Sequence, residues 1–276
     1  MNFNQRIVVA ERTVAIGGLG AIGLVVAEAL DRNPRGARLV AVCAADRERA
    51  RSRISRFRTH PAVVGAAELA EADIVVEAAP AVAFDQIVIP AIEKGRTIVV
   101  ASVAALLSRM HLIDQARRTG ASIVVVSGAL AGLDAIRAAA EGVIENASLE
   151  TRKSPASLAG APYLQRHGID VHTLTTATCV FRGNALEAAV GFPANANVAA
   201  ALALAGIGPE RTRVEIWADP FVERNTHTVR IDADSVRLTL CVESLPSSTN
   251  PRTSRLAALS VLACIRGMTS TLKVGS

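Results

Sequence analysis

Proton transfer near neutral pH needs histidine, or a lysine or carboxylate whose pKa has been moved. The 276-residue chain has five histidines and only three lysines. His60 precedes a proline in a predicted turn, His111 falls within a helical stretch, and His167 and His172 flank the loop HGIDVH with no ligand cluster around them; surface positions suit all four. His227 differs, because it opens a predicted strand within Arg224-Asn225-Thr226-His227, among hydrogen-bonding neighbours. Lys94 precedes a strand, at the end of a sheet away from ligands, and Lys273 lies in the tail, which leaves Lys153 as the lysine placed for a site. Residues 191–200 (GFPANANVAA) set Asn195 and Asn197 at the start of an apolar helix. N-capping explains one asparagine readily and two less readily; amides at a helix N-terminus suit a carboxylate or a carboxamide. Cys43, Cys179, Cys241 and Cys264 form no CxxC pair and sit in apolar stretches, so reduced, buried thiols are expected, with neither a disulfide framework nor a metal site.

The strongest local pattern is Gly18-Leu19-Gly20-Ala21-Ile22-Gly23, a GxGxxG sequence between the predicted strand 13–17 and an apolar helix reaching Leu30. In that setting Gly18 makes the tight turn, Gly20 lets a pyrophosphate approach the backbone, and Gly23 allows close packing of helix on strand, while the free N–H groups and the helix dipole attract the anion. Asp46 lies 23 residues beyond Gly23, just after the second strand (38–44), where a carboxylate accepts from the adenosine ribose and repels a 2′-phosphate. NAD is therefore the expected cofactor. Arg47 and Arg49 follow at once, so NADP is tolerated in this reading. Residues 47–58 carry six arginines and one glutamate, a solvated helix face or a phosphate-attracting one.

Further strands are predicted at 73–78, 97–101 and 122–126, with helices over 47–57, 82–94 and 104–119, an alternation that implies βαβ units and a parallel sheet. Ligands bind beyond the carboxyl ends of such strands. Three segments rich in small residues fall there: Glu77-Ala78-Ala79-Pro80, Ser102-Val103-Ala104 and Ser127–Gly132. Beyond residue 131 a helix is followed by strand candidates at 147–153, 176–182, 186–191, 212–218, 226–232 and 236–243, interrupted by a helix at 194–205 and closed by one at 252–266. The expected fold class is α/β, a Rossmann-type parallel-sheet domain (1–131) plus a second α+β domain with a mixed or antiparallel sheet (132–245), and a C-terminal segment (246–276). Half the residues are hydrophobic but only 3% are aromatic, which argues against a nucleic-acid stacking platform. The uncharged run from Ala188 to Pro209 is long enough for a bilayer, yet its asparagines, glycines and prolines favour a soluble helix, and the N-terminus lacks the uninterrupted apolar core of a signal peptide. A cytoplasmic protein is the expectation.

The chain resembles the L-aspartate dehydrogenase family from end to end. The matching stretches are GLGAIG (18–23), VSGALAGLDAI (126–136), TRKSP (151–155), FPANANVAAALALAGIG (192–208), TRVEIWADP (212–220), RNTHTV (224–229) and SLPSSTNPRTSRLAALSVLA (244–263). TRKSP departs from the family pattern, with Ser154 where proline is usual. The resemblance implies NAD(P)-dependent oxidative deamination of L-aspartate to iminoaspartate, which hydrolyses to oxaloacetate and ammonia and in this family can feed NAD biosynthesis. It implies that Ala131 and Asn197 contact NAD, that His227 is the active-site residue, that the enzyme is a homodimer, and that the last helix returns to the nucleotide domain. The two substrate carboxylates need cations or hydroxyl donors; Lys153, Arg152, Thr226, Ser247, Ser248 and Asn250 are the candidates. Competing readings are a homoserine-dehydrogenase or dihydrodipicolinate-reductase relative, and a non-catalytic NAD-binding sensor.

Overall fold

A computed structural model of the chain describes residues 11–245, 247 and 253–275. The first half alternates strands and helices. In chain order they are β1 (Arg12–Gly17), α1 (Gly23–Arg32), β2 (Ala37–Cys43), α2 (Arg47–Ile54), β3 (Ala62–Val63), β4 (Ile74–Glu77), α3 (Phe84–Glu93), β5 (Thr97–Val100), α4 (Val103–Leu107), α5 (His111–Thr119) and β6 (Ser122–Val125). The six strands form a parallel sheet in the order β3-β2-β1-β4-β5-β6. The order reverses between β1 and β4, and a crevice opens there beyond the carboxyl ends of the strands. Val14, Ile16, Val75, Val76, Val99 and Val100 are fully buried, because helices cover both faces of the sheet.

The second half contains α6 (Leu133–Ala140), β7 (Ile144–Lys153), α7 (Pro155–Leu158), α8 (Pro162–Arg166), β8 (Thr178–Asn184), α9 (Ala185–Gly191), α10 (Asn197–Ala205), β9 (Thr212–Ala218), β10 (Asn225–Ala233), β11 (Arg237–Ser244) and α11 (Arg255–Thr269). Its five strands run β11-β10-β7-β9-β8, with β7 and β9 parallel and the other pairs antiparallel. Along β7 and β10 buried and more exposed residues alternate, so one face carries the core and the other lies open. α11 leaves this unit and packs on α1, burying Val261 and Ile265 in the core of the first sheet. Thr269 Oγ1 donates to Arg35 O at 3.0 Å, and Ser260 Oγ accepts from Gly128 N–H at 3.1 Å, so the helix grips the segment after β6 as well.

Three sequence expectations change. Residues 186–191, expected as a strand, are helix α9. Asn184 accepts from Glu187 N–H at 2.9 Å while Glu187 Oε2 accepts from Asn184 N–H at 2.9 Å, a capping box that starts a helix over an apolar run whose period alone is ambiguous. The helix expected over 104–119 is two, α4 and α5. Arg109 turns the chain between them, with Nε and Nη2 on the Asp85 carboxylate at 2.6 and 3.1 Å. The cysteines are free, but Cys241 is exposed on the open face of the second sheet and the other three are only partly buried.

α9 lines the cleft described below, so its cap bears on function. Asn184→Ala is expected to lower stability by about 1 kcal/mol, read as an earlier urea-unfolding midpoint at unchanged slope.

Candidate active site

The glycine turn has the geometry its sequence predicts. Gly18 sits at φ +96°, and a Cβ there would lie 2.5 Å from Ala78 O. At Gly23 a Cβ would lie 1.8 Å from Gly18 O, so helix and turn meet without room for a side chain. A Cβ at Gly20 would meet nothing within 4 Å, which leaves its backbone open toward the crevice. Arg53 of α2 donates to Leu19 O and pins the turn from the other side. Asp46 stands just past β2, exposed, and caps α2 by accepting from Arg49 N–H at 2.9 Å. The adenosine side of a dinucleotide would thus face β2 and its reactive ring the side of β4, β5 and β6. These residues fit such a ligand.

On that side a cleft of about 830 Å³ runs between the two units. Gly20, Ala21, Ile22, Ala79 and Ser102 line one wall, and Val190, Ala194 and Asn197 the other. It opens into a smaller inner chamber of about 80 Å³, bounded by Ile22, Ser127–Ala129, Lys153, Asn195, Asn197 and His227. Asn197 does not cap its own helix. Its Oδ1 reaches across to accept from Ala104 N–H of α4 at 3.0 Å, which ties the two units together. Asn195 accepts from Lys153 Nζ at 2.8 Å and donates to Ser157 O at 3.3 Å.

His227 is 2% exposed, on the core-facing side of β10. Its register partner on β7 is Thr151, whose Oγ1 lies 3.1 Å from His227 Nδ1. Lys153 is two residues further along β7, on the same face, and 4% exposed. Burial lowers the His227 pKa to about 3, and the Lys153 charge pushes it the same way. Burial also lowers Lys153, from its ordinary 10.5 to about 8. The chamber therefore holds a neutral imidazole beside an ammonium close to its titration point. Glu77, at the end of β4, is fully buried; burial pushes its carboxyl up while Ser102 and Ala79 donors pull it back.

Not every candidate joins this chamber. Thr226 and Arg152 lie one residue out of phase with His227 and Lys153, so strand alternation turns them to the open face. There Arg152 stacks on Trp217 at 4.5 Å and pairs with Glu150, and Thr226 Oγ1 donates to Arg224 O. Ala131 is exposed beyond the chamber, whose wall on that segment is Ser127–Ala129. Ser247 donates its N–H to Thr253 O at 2.7 Å and is absent from the chamber's lining. Ser248 and Asn250 lie outside the described residues. His60, His111, His167 and His172 are at the surface, as their surroundings suggested. Thr151 escaped the sequence reading, because only strand pairing sets it against His227. Among the described residues no cluster suits a metal ion, and no helix is long and apolar enough to cross a membrane.

Comparison with known proteins accords with this geometry. Residues 134–268 match the family model "Aspartate dehydrogenase, C-terminal", and residues 18–126 match "Homoserine dehydrogenase, NAD binding domain". The L-aspartate dehydrogenase of Bradyrhizobium diazoefficiens is 46% identical over 268 residues, covering 97% of this chain and 95% of that one. L-aspartate dehydrogenase 3 of Bordetella bronchiseptica is also 46% identical over 268 residues, covering 96% of this chain and 98% of the other. The crystal structure of aspartate dehydrogenase from Thermotoga maritima superposes with a TM-score of 0.74 at 24% identity, covering 96% of this chain and 99% of that one, and so shares the fold. With relatives this similar over nearly its whole length, the chain belongs to the L-aspartate dehydrogenase family.

Proposed function

We propose that the inner chamber oxidises L-aspartate to iminoaspartate, with a nicotinamide dinucleotide lying along the glycine turn and the cleft. The observation that carries this reading is the convergence of His227, Lys153, Asn195 and Asn197 on one small chamber at the nicotinamide end of the cleft. The bound nicotinamide supplies a hydride acceptor. The protein's own residues do the rest. Lys153, an ammonium already desolvated, is the counter-charge for a substrate carboxylate, and Asn195 orients it. Asn197 has its oxygen committed to Ala104, so its NH2 is the group left for a carboxamide or carboxylate oxygen.

Hydride leaves Cα only when the nitrogen lone pair is free to form C=N, so the substrate ammonium must first lose a proton. His227 is the base in this reading. It serves when Nδ1–H donates to Thr151 Oγ1 and Nε2 keeps its lone pair for the substrate. Burial and the Lys153 charge hold the imidazole neutral. A carboxylate seated on Lys153 cancels the second influence, which raises the imidazole's proton affinity when the substrate is present. The net change is L-aspartate plus oxidised dinucleotide to iminoaspartate, reduced dinucleotide and a proton; water then releases oxaloacetate and ammonia.

Asp46, at the ribose position beyond β2, supports NAD as the preferred coenzyme, with the α2 arginines leaving NADP usable. The open face of the second sheet carries both signs of charge, Glu150, Arg152, Arg182 and Glu215 among them, which supports pairing of two copies there as a homodimer.

The direct test is dinucleotide reduction with L-aspartate against homoserine and a panel of amino acids. L-Aspartate is expected to be turned over fastest, and His227→Ala to lower kcat by about 10²–10⁴-fold with folding retained; a variant with near-wild-type kcat excludes the histidine role. Asp46→Ser keeps the α2 cap but removes the charge, and is expected to raise the NADP-to-NAD ratio of kcat/KM; an unchanged ratio rejects the ribose assignment. For Lys153 the unfolded chain binds the extra proton between pH 8 and 10.5, so stability contributed at this position rises with pH across that window. The unfolding free energy of the wild type relative to Lys153→Met is expected to grow by up to about 3 kcal/mol over it, and parallel urea-unfolding profiles would contradict the depressed pKa.

A further inference from the structure

Glu77 is a fully buried carboxylate that the reaction above does not use. Both of its oxygens accept hydrogen bonds. Oε2 takes Ser102 N–H at 2.9 Å, while Oε1 takes Ala79 N–H at 3.2 Å and the Ser102 hydroxyl at 2.9 Å. These donors belong to the segments after β4 and β5, and both segments line the cleft. The first is held against the glycine turn, where Ala78 N–H donates to Gly17 O at 2.9 Å. The second opens α4, whose Ala104 N–H donates to Asn197 Oδ1. A continuous path therefore runs from the glycine turn through Glu77 to the amide at the mouth of the inner chamber.

The chemistry of the site selects a carboxylate. All three partners are donors, and no ion pair to Glu77 is present among the described residues. A buried acid without a cation is costly, and only the hydrogen bonds offset that cost. Glutamine cannot replace it without loss. With its NH2 toward Ser102 N–H, two donors meet. With its NH2 on the other side, the Ser102 hydroxyl can turn to Ala79 O, 3.2 Å away, but Ala79 N–H loses its acceptor.

We propose that Glu77 is a positioning residue, whose buried carboxylate holds the two nicotinamide-side segments of the cleft, and through α4 the Asn197 amide, in the arrangement that receives the nicotinamide half of the dinucleotide. The inference rests on the cleft being the coenzyme site. Wild-type affinity for NADH and NADPH tests that assignment, and the variant-to-wild-type ratio tests Glu77.

The experiment is calorimetric titration of wild type, Glu77→Gln and Ser102→Ala with NADH, NADPH and ADP-ribose, well below each protein's Tm. ADP-ribose keeps the adenosine and pyrophosphate and lacks the nicotinamide. Glu77→Gln is expected to weaken the preferred reduced dinucleotide by about tenfold or more, and ADP-ribose by less than about twofold. Ser102→Ala removes one of the three donors and leaves the carboxylate in place; a loss of about threefold, again confined to the dinucleotide, is expected, and it carries the test should Glu77→Gln not fold. Equal weakening of both ligands, the signature of general loosening, overturns the proposal. So does wild-type affinity for the dinucleotide.

Discussion

One strand register fixes the chemistry of this protein. β7 and β10 pair antiparallel with Thr151 opposite His227, and because side chains alternate along a strand, Lys153 falls on the same face two residues on. A slip of one residue in β7 would send Thr151 and Lys153 to the open face and bring Arg152 inward, and the same slip in β10 would exchange His227 for Thr226. The register is held from both sides. β7 also pairs with β9 and β10 with β11, and Leu149, Val214, Val229 and Ile231 share the buried face. The hydrophobic alternation that keeps the sheet in register therefore also decides which polar groups face the inner chamber.

The second requirement is that this face meet the nucleotide-binding crevice at a fixed distance. α4 achieves it by belonging to both units. It follows β5 in the parallel sheet, yet Val103, Ala104 and Leu107 sit in the core of the second unit, packed with α9 and α10. Asn197 accepting from Ala104 N–H adds a directional bond to that apolar contact. α11 closes the arrangement from the other side through Ser260 and Gly128. Apolar packing and hydrogen bonds at both crossings thus fix the chamber between the units.

The sequence disclosed the parts of this design that local rules govern. The strand–glycine turn–helix unit, the alternation of β and α, and the acid after β2 follow from backbone sterics and from phosphate chemistry at a helix N-terminus. His227 stands out by its polar neighbours and by family resemblance, and Lys153 by elimination. Strand pairing was not legible. Thr226 and Arg152 look as suitable as their neighbours because nothing in RNTH or TRK says which face each residue takes, and Thr151, although it opens the TRKSP stretch, carries no sign of its histidine partner. The helical state of 186–191 is hidden for a related reason, since a short apolar run fits either period, although Asn184 and Glu187 at capping-box spacing decide it. Asn197 reads as a helix-start amide, but its partner on α4 lies 93 residues away in the chain.

Electrostatics explains why so polar a set is tolerated in a buried place. Lys153 is held among groups that solvate it poorly, with one amide oxygen as its hydrogen-bond partner, and its depressed pKa measures the free energy the fold gives up to keep an ammonium there. An apolar residue at this position would remove that cost and leave the chamber without its counter-charge for a carboxylate. Burial above all, with the Lys153 charge adding to it, keeps His227 unprotonated. Lysine and histidine on adjacent strands are thus coupled: the charge of the first adds to burial in keeping the second a free base, and in the proposed mechanism a carboxylate seated on the lysine would weaken that coupling when a proton has to move.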